Sequence, residues 1–219
     1  MQDEEKRKRI VEASIPMFNQ LGCKAVTMDS LAKTLHISKR TMYEMFVNKE
    51  TLMLECISEV HKTMWRRGKE MTSKASDPFL MALFLTRNEA LICMRFARIL
   101  KDAERYYPEL TNQVVKKFSE KFKLALLDIF SKAAKNGDLR PDIDIREIVE
   151  TLAMSVHVCS LSSMRDNESL AHLIRESFFT YLRGTLSIKA IERYDKNVEE
   201  FRKLVKEEDE TIGILKPES

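Results

Sequence analysis

The sequence predicts an all-α protein with a small N-terminal helical domain and a larger C-terminal helical bundle. Its 219 residues include only five Gly and five Pro, so long stretches lack the residues that interrupt helices. Apolar residues recur at intervals of three and four along most of the chain, which is the period of an amphipathic helix. Two very short helical segments near the N-terminus indicate that the first domain is built differently from the rest.

The first helix is predicted over residues 3–21. Pro16 lies inside it and removes the hydrogen bond to the Glu12 carbonyl, so we expect a bend rather than a break. Gly22 is a natural C-terminal stop. The apolar face of this helix consists of Ile10, Ala13, Met17, Phe18 and Leu21.

Two short helices joined by a tight turn follow. Thr27 is placed to cap the first, over residues 28–35, and Ser38 is placed to cap the second, which begins at Lys39. A helix of about two turns is not stable alone because nucleation is costly, so its neighbours must hold it. A short helix held in this way with exposed basic residues fits the DNA major groove, about 12 Å wide. The pattern is a helix-turn-helix, and it indicates duplex DNA as the partner.

At these residues the first quarter of the chain resembles the DNA-binding domain of the TetR family of bacterial repressors. The spacing from Gly22 through Tyr43 to Lys49 is its most specific part. His36 stands where the family often has Gly; if the turn needs a positive φ, His adopts it less easily than Gly. The matching residues are Ile10, Ala13, Phe18, Gly22, Thr27, Leu31, Ala32, Ile37, Ser38, Thr41, Tyr43, Phe46, Asn48, Lys49, Glu50 and Leu52.

The resemblance implies that the second short helix reads the major groove. We expect Lys39, Arg40 and Tyr43 to enter it, with Arg40 donating to a guanine through two N–H groups. Side chains around this helix are expected to fix the register on phosphates. The predicted DNA-binding residues are Thr27, Ser38, Lys39, Arg40, Thr41, Tyr43 and Lys49.

The net charge of +3 is small for the whole chain, so any basic surface for DNA must be local. Lys39-Arg40 is one such cluster. Residues 6–9, KRKR, form another, which either contacts phosphate or is a solvated helix start, since three acidic residues precede it.

The sequence also limits the chemistry. It has no apolar run of transmembrane length and its N-terminus is charged, so we expect a cytoplasmic protein without a membrane partner. The four cysteines are widely spaced and are expected to be reduced thiols. Phosphate-binding glycine loops, nucleophile motifs and metal-spaced His/Cys clusters are lacking, so we expect no enzyme activity and no cofactor or metal.

Asn48 is the expected cap of a long helix that reaches about residue 74 and connects the DNA-binding unit to the rest. Beyond it, helices are predicted over residues 79–105, 108–135, 144–163 and 168–186. The last two are apolar on more than one face, and a helix with two apolar faces needs two partners. One is the core of its own subunit, and the other is most simply a second copy, which gives a four-helix homodimer interface. A buried helix pair in a monomer is the alternative.

The resemblance further implies an effector pocket among the middle helices, where bundles place ligand cavities. An apolar or amphipathic small molecule is expected, and its binding would tilt the helix that starts at Asn48. Ordinary core packing is the alternative for each aromatic or Met candidate, as is a buried or dimer-pairing role for the histidine. The candidates are Trp65, Phe84, Met94, Phe96, Arg98, Phe122, Met154 and His157.

The sequence thus predicts a helix-turn-helix domain over residues 1–50, an effector-binding and dimerisation domain over residues 51–190, and a charged extension over residues 191–219 that either packs on the domain or frays. The predicted function is a sequence-specific transcriptional regulator, a repressor released from a palindromic operator by a small molecule. Two alternatives remain: a DNA-binding regulator controlled by a protein partner, and a helical module that binds protein.

Overall fold

The computed structural model describes residues 2–73, 75, 77–161 and 167–212. Over these residues the chain forms ten α-helices and one isolated antiparallel bridge, between Leu139 and Leu186, which confirms the all-α prediction. The helices are α1 (Gln2–Leu21), α2 (Met28–Thr34), α3 (Lys39–Met45), α4 (Lys49–Thr72), α5 (Pro78–Arg95), α6 (Ala97–Tyr106), α7 (Pro108–Lys135), α8 (Ile145–Leu161), α9 (Asn167–Gly184) and α10 (Ile188–Ile212).

The local signals near the N-terminus act as predicted. Helix α1 continues through Pro16 and is followed by Gly22, whose φ of 84° lies in the left-handed region that glycine adopts without steric cost. His36, in the turn between α2 and α3, also has a positive φ, of 53°. A non-glycine residue therefore adopts the positive φ that this turn requires.

The prediction of a single helix over residues 79–105 is wrong, because α5 and α6 are separate helices. The break lies at Phe96, with φ −111° and ψ 23°, and no side chain caps the start of α6 there. Neither Gly nor Pro marks this position. Ile99 and Ala103 of α6 are fully buried in the core of the N-terminal helices, so tertiary packing accounts for the break.

The chain divides into two compact units, and each has its own core. The first consists of Met1–Arg66 and Ile92–Glu120, and the second of Arg67–Leu91 and Lys121–Ser219. The functional boundaries predicted at residues 50 and 190 stay a prediction. Fully buried side chains of the first unit include Phe18, Leu31, Met42, Phe46, Leu52 and Ile57.

Aromatic side chains form much of the second core. The rings of Phe130 and Tyr194 each meet Phe79 edge-on, with centroids 6.1 and 6.0 Å away. Phe84 lies against Phe201 with ring centroids 4.8 Å apart. Burying such side chains stabilises a fold by roughly 1.5–3 kcal/mol each. Two of these five contacting residues, Tyr194 and Phe201, come from α10, so this helix is part of the core.

The predicted charged extension therefore begins with packed residues. This part of it packs on the domain and is not frayed. Helix α10 buries Tyr194, whose hydroxyl donates to the Phe179 carbonyl at 2.9 Å. Arg193 of the same helix forms ion pairs with Asp77 at 2.9 Å and Asp138 at 2.8 Å. Both carboxylates are buried, so the guanidinium supplies the charge partner that they need.

Candidate nucleic-acid interface

Helices α2 and α3 are short but firmly fixed. Met42 of α3 is fully buried, as are Leu31 of α2 and Phe46 just beyond α3. Each helix also has the predicted cap. Thr27 Oγ1 accepts from the Ser30 amide at 3.0 Å, and Ser38 Oγ accepts from the Thr41 amide at 3.0 Å. Such a cap stabilises a helix by typically about 1 kcal/mol.

The cap of α2 is reciprocal. Ser30 Oγ accepts from the Thr27 amide at 2.9 Å, so two free donors of the helix start are satisfied together. At α3 the Ser38 and Thr41 hydroxyls are also 2.8 Å apart. Thr27, Ser38 and Thr41 therefore build the helix-turn-helix, and any phosphate contact that they make would come in addition to this role.

The outer face of α3 carries three side chains that the core leaves exposed. Arg40, Tyr43 and Glu44 lie at i, i+3 and i+4, away from the buried Met42. The Arg40 side chain is 87% exposed and Tyr43 is 51% exposed. Val47, which follows the helix, is 81% exposed. The predicted groove residues Arg40 and Tyr43 thus share one surface with two residues that the prediction left out.

Both cations of α3 are paired with carboxylates within the chain. Lys39 donates to Asp29 of α2, and this hydrogen bond raises the pKa of Lys39. Arg40 Nε donates to Glu44 Oε1 at 2.7 Å. Exposed ion pairs are weak, so a DNA phosphate would displace Asp29 from Lys39 at little cost. Asp29 and Glu44 were missed as parts of the site, although the spacing of four between Arg40 and Glu44 was a usable signal.

Lys49 is held inside the domain. Its ammonium donates to the carbonyls of Cys23 at 2.8 Å and Val26 at 3.1 Å, which fastens the segment between α1 and α2 to the start of α4. Asn48 caps α4, as predicted, by accepting from the Thr51 amide at 2.8 Å. The predicted phosphate contact of Lys49 stays a prediction, and its described role is structural.

Helix α6 holds the same segment from another side. Arg98 donates to the carbonyls of Gln20 and, at 2.9 Å, Leu21. These carbonyls lie at the C-terminus of α1, where the negative end of the helix dipole stabilises a cation. Asp102 accepts from the Cys23 amide at 2.5 Å. A Cβ on Gly22 would lie 3.0 Å from both charged side chains. Any other residue would therefore be strained by the positive φ, and Arg98 and Asp102 would have to shift by a few tenths of an ångström to make room for its Cβ.

The N-terminal basic run contains one residue with a clear structural task. Arg7 donates to Glu55 through Nε at 2.9 Å and also to the Met45 carbonyl at the end of α3. Its guanidinium lies 4.2 Å from the centroid of the Phe46 ring. The bond to Glu55 raises the pKa of Arg7. Arg7 of α1 thus ties the end of α3 to α4.

The predicted effector residues are distributed over both units. Trp65, Phe96 and Arg98 belong to the first unit, whereas Phe84, Phe122 and Met154 belong to the second. The side chains of Met94 and His157 lie outside the described residues. Arg98 binds the end of α1, Phe84 packs in the second core, and Met154 is 66% exposed. Described contacts do not assemble the eight residues into one pocket, so that assignment stays a prediction.

A described cavity lies elsewhere, as an open groove of about 660 Å³ between α1 and α4. It is lined by acidic and basic side chains, including Arg7 and Glu55, and by none of the predicted effector residues. Over the described ranges, neither a group of three potential metal ligands nor a helix long and apolar enough to cross a membrane is found.

The predicted dimer face is described only in part. Leu152 and Val156 of α8 are buried, while the side chains of residues 157–175 lie outside the described residues. Leu124 of α7 and Met154 of α8 are each 66% exposed. The homodimer therefore stays a prediction.

Comparison with known proteins identifies the helix-turn-helix. Residues 10–56 match the family described as bacterial regulatory proteins, tetR family. YhgD of Bacillus subtilis, an uncharacterized HTH-type transcriptional regulator, is 37% identical over 76 residues, which cover 35% of this chain and 38% of YhgD. The transcriptional repressor KstR2 of Mycolicibacterium smegmatis is 24% identical over 151 residues, which cover 64% of this chain and 70% of KstR2.

The fold extends the match beyond the helix-turn-helix. The structure of a transcriptional regulator from Saccharomonospora viridis, solved in complex with choline, superposes with a TM-score of 0.72 at 15% identity, covering 84% of this chain and 98% of that one. The capped helix-turn-helix and these likenesses lead to one conclusion: residues 10–56 form a helix-turn-helix of the kind found in the bacterial regulatory proteins of the tetR family, within an all-α fold shared with the S. viridis regulator.

Proposed function

We propose that this protein is a sequence-specific transcriptional repressor that binds a palindromic operator as a homodimer and leaves it when a small molecule binds. The observation that carries the proposal is the exposed face of α3, where Arg40, Tyr43 and Glu44 project from a helix held by caps and a buried core. KstR2, which is similar over 151 residues, is a transcriptional repressor. A bacterial operator lies in the cytoplasm, so the proposal places the protein there.

The described contacts support a division of labour on DNA. Arg40 and Tyr43 are exposed on the face that would enter the groove. Lys39 sits at the start of α3 against Asp29 of α2, at the edge of that face, where a phosphate would replace the carboxylate. Contacts to phosphate position a protein, and contacts to base edges give it specificity. We therefore assign register to Lys39 and base preference to Arg40.

Release by an effector requires a structural connection to α3, and the first unit provides two such connections. Lys49 of α4 and the Arg98–Asp102 pair of α6 both bind the segment between α1 and α2. A shift of either helix would move this segment and the α2–α3 pair that follows it. We therefore propose that effector binding shifts α6 as well as tilting α4. The effector must bind the released state more tightly than the DNA-bound state, because equal affinity shifts nothing.

The effector is proposed to be a small apolar or amphipathic molecule. The S. viridis regulator was solved with choline, which supports the class of small organic ligands without identifying the one used here. A screen by thermal shift, followed by operator release, would test this part separately from DNA binding.

Selection of bound duplexes from a random DNA pool, by the purified protein at about 0.15 M salt, tests the proposal. We expect a palindrome whose half-sites lie one helical turn apart, about 34–36 Å between centres. Arg40→Ala should bind the selected duplex poorly, while Lys132→Ala, an exposed cation of α7, should bind it like the wild type. Recovery of no sequence above background by protein freed of bound ligand would contradict the proposal.

A further inference from the structure

Arg40 and Glu44 form a side-chain pair along the exposed face of α3. Arg40 Nε donates to Glu44 Oε1 at 2.7 Å across one helical turn. Lys39 is arranged differently, because its carboxylate partner Asp29 lies on α2. Of the cation pairs described for α3, only Arg40–Glu44 therefore has both partners on the helix that is proposed to enter the groove.

The atom used in this pair matters for recognition. A guanidinium carries five N–H donors in a planar fork, and guanine is read by two of them, on O6 and N7. A bond at Nε leaves the four N–H donors of Nη1 and Nη2 for a base. It also fixes the plane of the fork, which an unsupported, 87% exposed side chain would otherwise have to order on binding.

We propose that Arg40 and Glu44 read one G·C base pair as a unit, with Glu44 as the positioning residue that orients the Arg40 guanidinium toward guanine. The inference rests on the proposed function. Glu44 does not need to touch DNA for this role. It acts through Nε of Arg40, and its contribution should appear at the base pair that Arg40 contacts.

The charge of Glu44 makes the role testable. A carboxylate on the groove-facing surface repels phosphates, so it weakens binding to every duplex alike. Only its effect on Arg40 discriminates between sequences. Replacing it should therefore increase affinity for unrelated DNA while reducing the preference for guanine, two effects of opposite sign that a purely structural residue would not produce.

The experiment starts from the duplex selected by the wild-type protein. Each base pair of one half-site is changed in turn, and affinities are measured by fluorescence anisotropy for the wild type, Glu44→Gln, Arg40→Ala and the double variant. A good two-donor contact discriminates by about 1–3 kcal/mol, or roughly 5- to 150-fold. We expect Arg40→Ala to abolish this ratio at one G·C pair, and Glu44→Gln to reduce it by up to about fivefold at the same pair.

The double variant separates positioning from direct reading. If Glu44 acts through Arg40, Glu44→Gln changes no base preference in the Arg40→Ala background. Asp128→Asn is the matched control, because Asp128 pairs with Lys132 at 2.6 Å over the same spacing on α7. It removes the same charge and should leave every base preference unchanged.

Three results would overturn the inference in distinguishable ways. An unchanged guanine ratio in Glu44→Gln refutes the pair while leaving DNA binding intact. A changed preference at another base pair that persists in the Arg40→Ala background makes Glu44 an independent reader. Failure of the wild type to select any sequence refutes the proposed function itself.

Discussion

Replacing Lys49 by Met tests a residue to which sequence and structure give different tasks. The resemblance implies a phosphate contact, but the ammonium donates to the carbonyls of Cys23 and Val26. Met keeps most of the side-chain length and removes the donors. Two backbone carbonyls then lose their partner, and the segment between α1 and α2 loses its attachment to α4.

The size of the effect follows from these two bonds. A hydrogen bond to a charged group contributes about 1.5–3 kcal/mol, and Lys49 is only half-buried, so water replaces part of the loss. We expect Lys49→Met to lower the free energy of unfolding by about 2 kcal/mol. With a urea dependence of about 2 kcal/mol per molar, the unfolding midpoint should fall by about 1 M.

Urea unfolding followed by circular dichroism measures this change. Lys62→Met is the control, since Lys62 is an exposed cation on the same helix and its loss should shift the midpoint little. A wild-type midpoint in Lys49→Met, combined with a DNA salt dependence reduced by about one phosphate, would refute the structural role and favour the phosphate contact.

Three further predictions concern the fold. His36→Val should destabilise the chain by about 1–2 kcal/mol in urea, because a β-branched residue is strained at φ 53°, whereas His36→Gly should change stability by less than about 1 kcal/mol. Arg193→Met should cost about 2–4 kcal/mol in thermal unfolding by leaving Asp77 and Asp138 buried without their cation, and adding Asp138→Asn should recover part of the loss. Burial lowers the pKa of His61 to about 4, so the unfolded chain binds a proton that the folded chain excludes between pH 6.5 and 4. Stability should fall by up to about 3 kcal/mol as the pH drops through that window, and His61→Phe should remove this part of the pH dependence.

Features that depend on a few neighbouring residues could be predicted from the sequence. Thr27 and Ser38 each cap a helix by accepting from an amide three residues away, and Gly22 ends α1 through its own φ. The period of apolar residues sufficed for α1, α4 and α7. Such signals are contained in the segment itself, so no knowledge of the partners is needed.

Features that depend on distant residues could not be predicted. The break at Phe96 has no signal in the neighbouring residues, and the helix that follows it is held by distant partners: Arg98 and Asp102 bind residues 20–23, some 80 positions earlier. The task of Lys49 likewise depends on carbonyls more than 20 positions away. The pairing of Lys39 with Asp29 could not be predicted for the same reason. The sequence shows that Asp29 is acidic, but it does not show that Lys39 binds it.

Whether the outer face of α3 reads DNA sequence can be decided by one ratio of affinities. The measurement compares the selected duplex with a shuffled duplex of equal length and composition, by anisotropy at about 0.15 M salt, for the wild type and Arg40→Ala. Specific binding is typically about 10³–10⁷ times tighter than non-specific binding. We expect a wild-type ratio in that range and a loss of at least about fivefold in Arg40→Ala. Equal affinity of the wild type for both duplexes would contradict it.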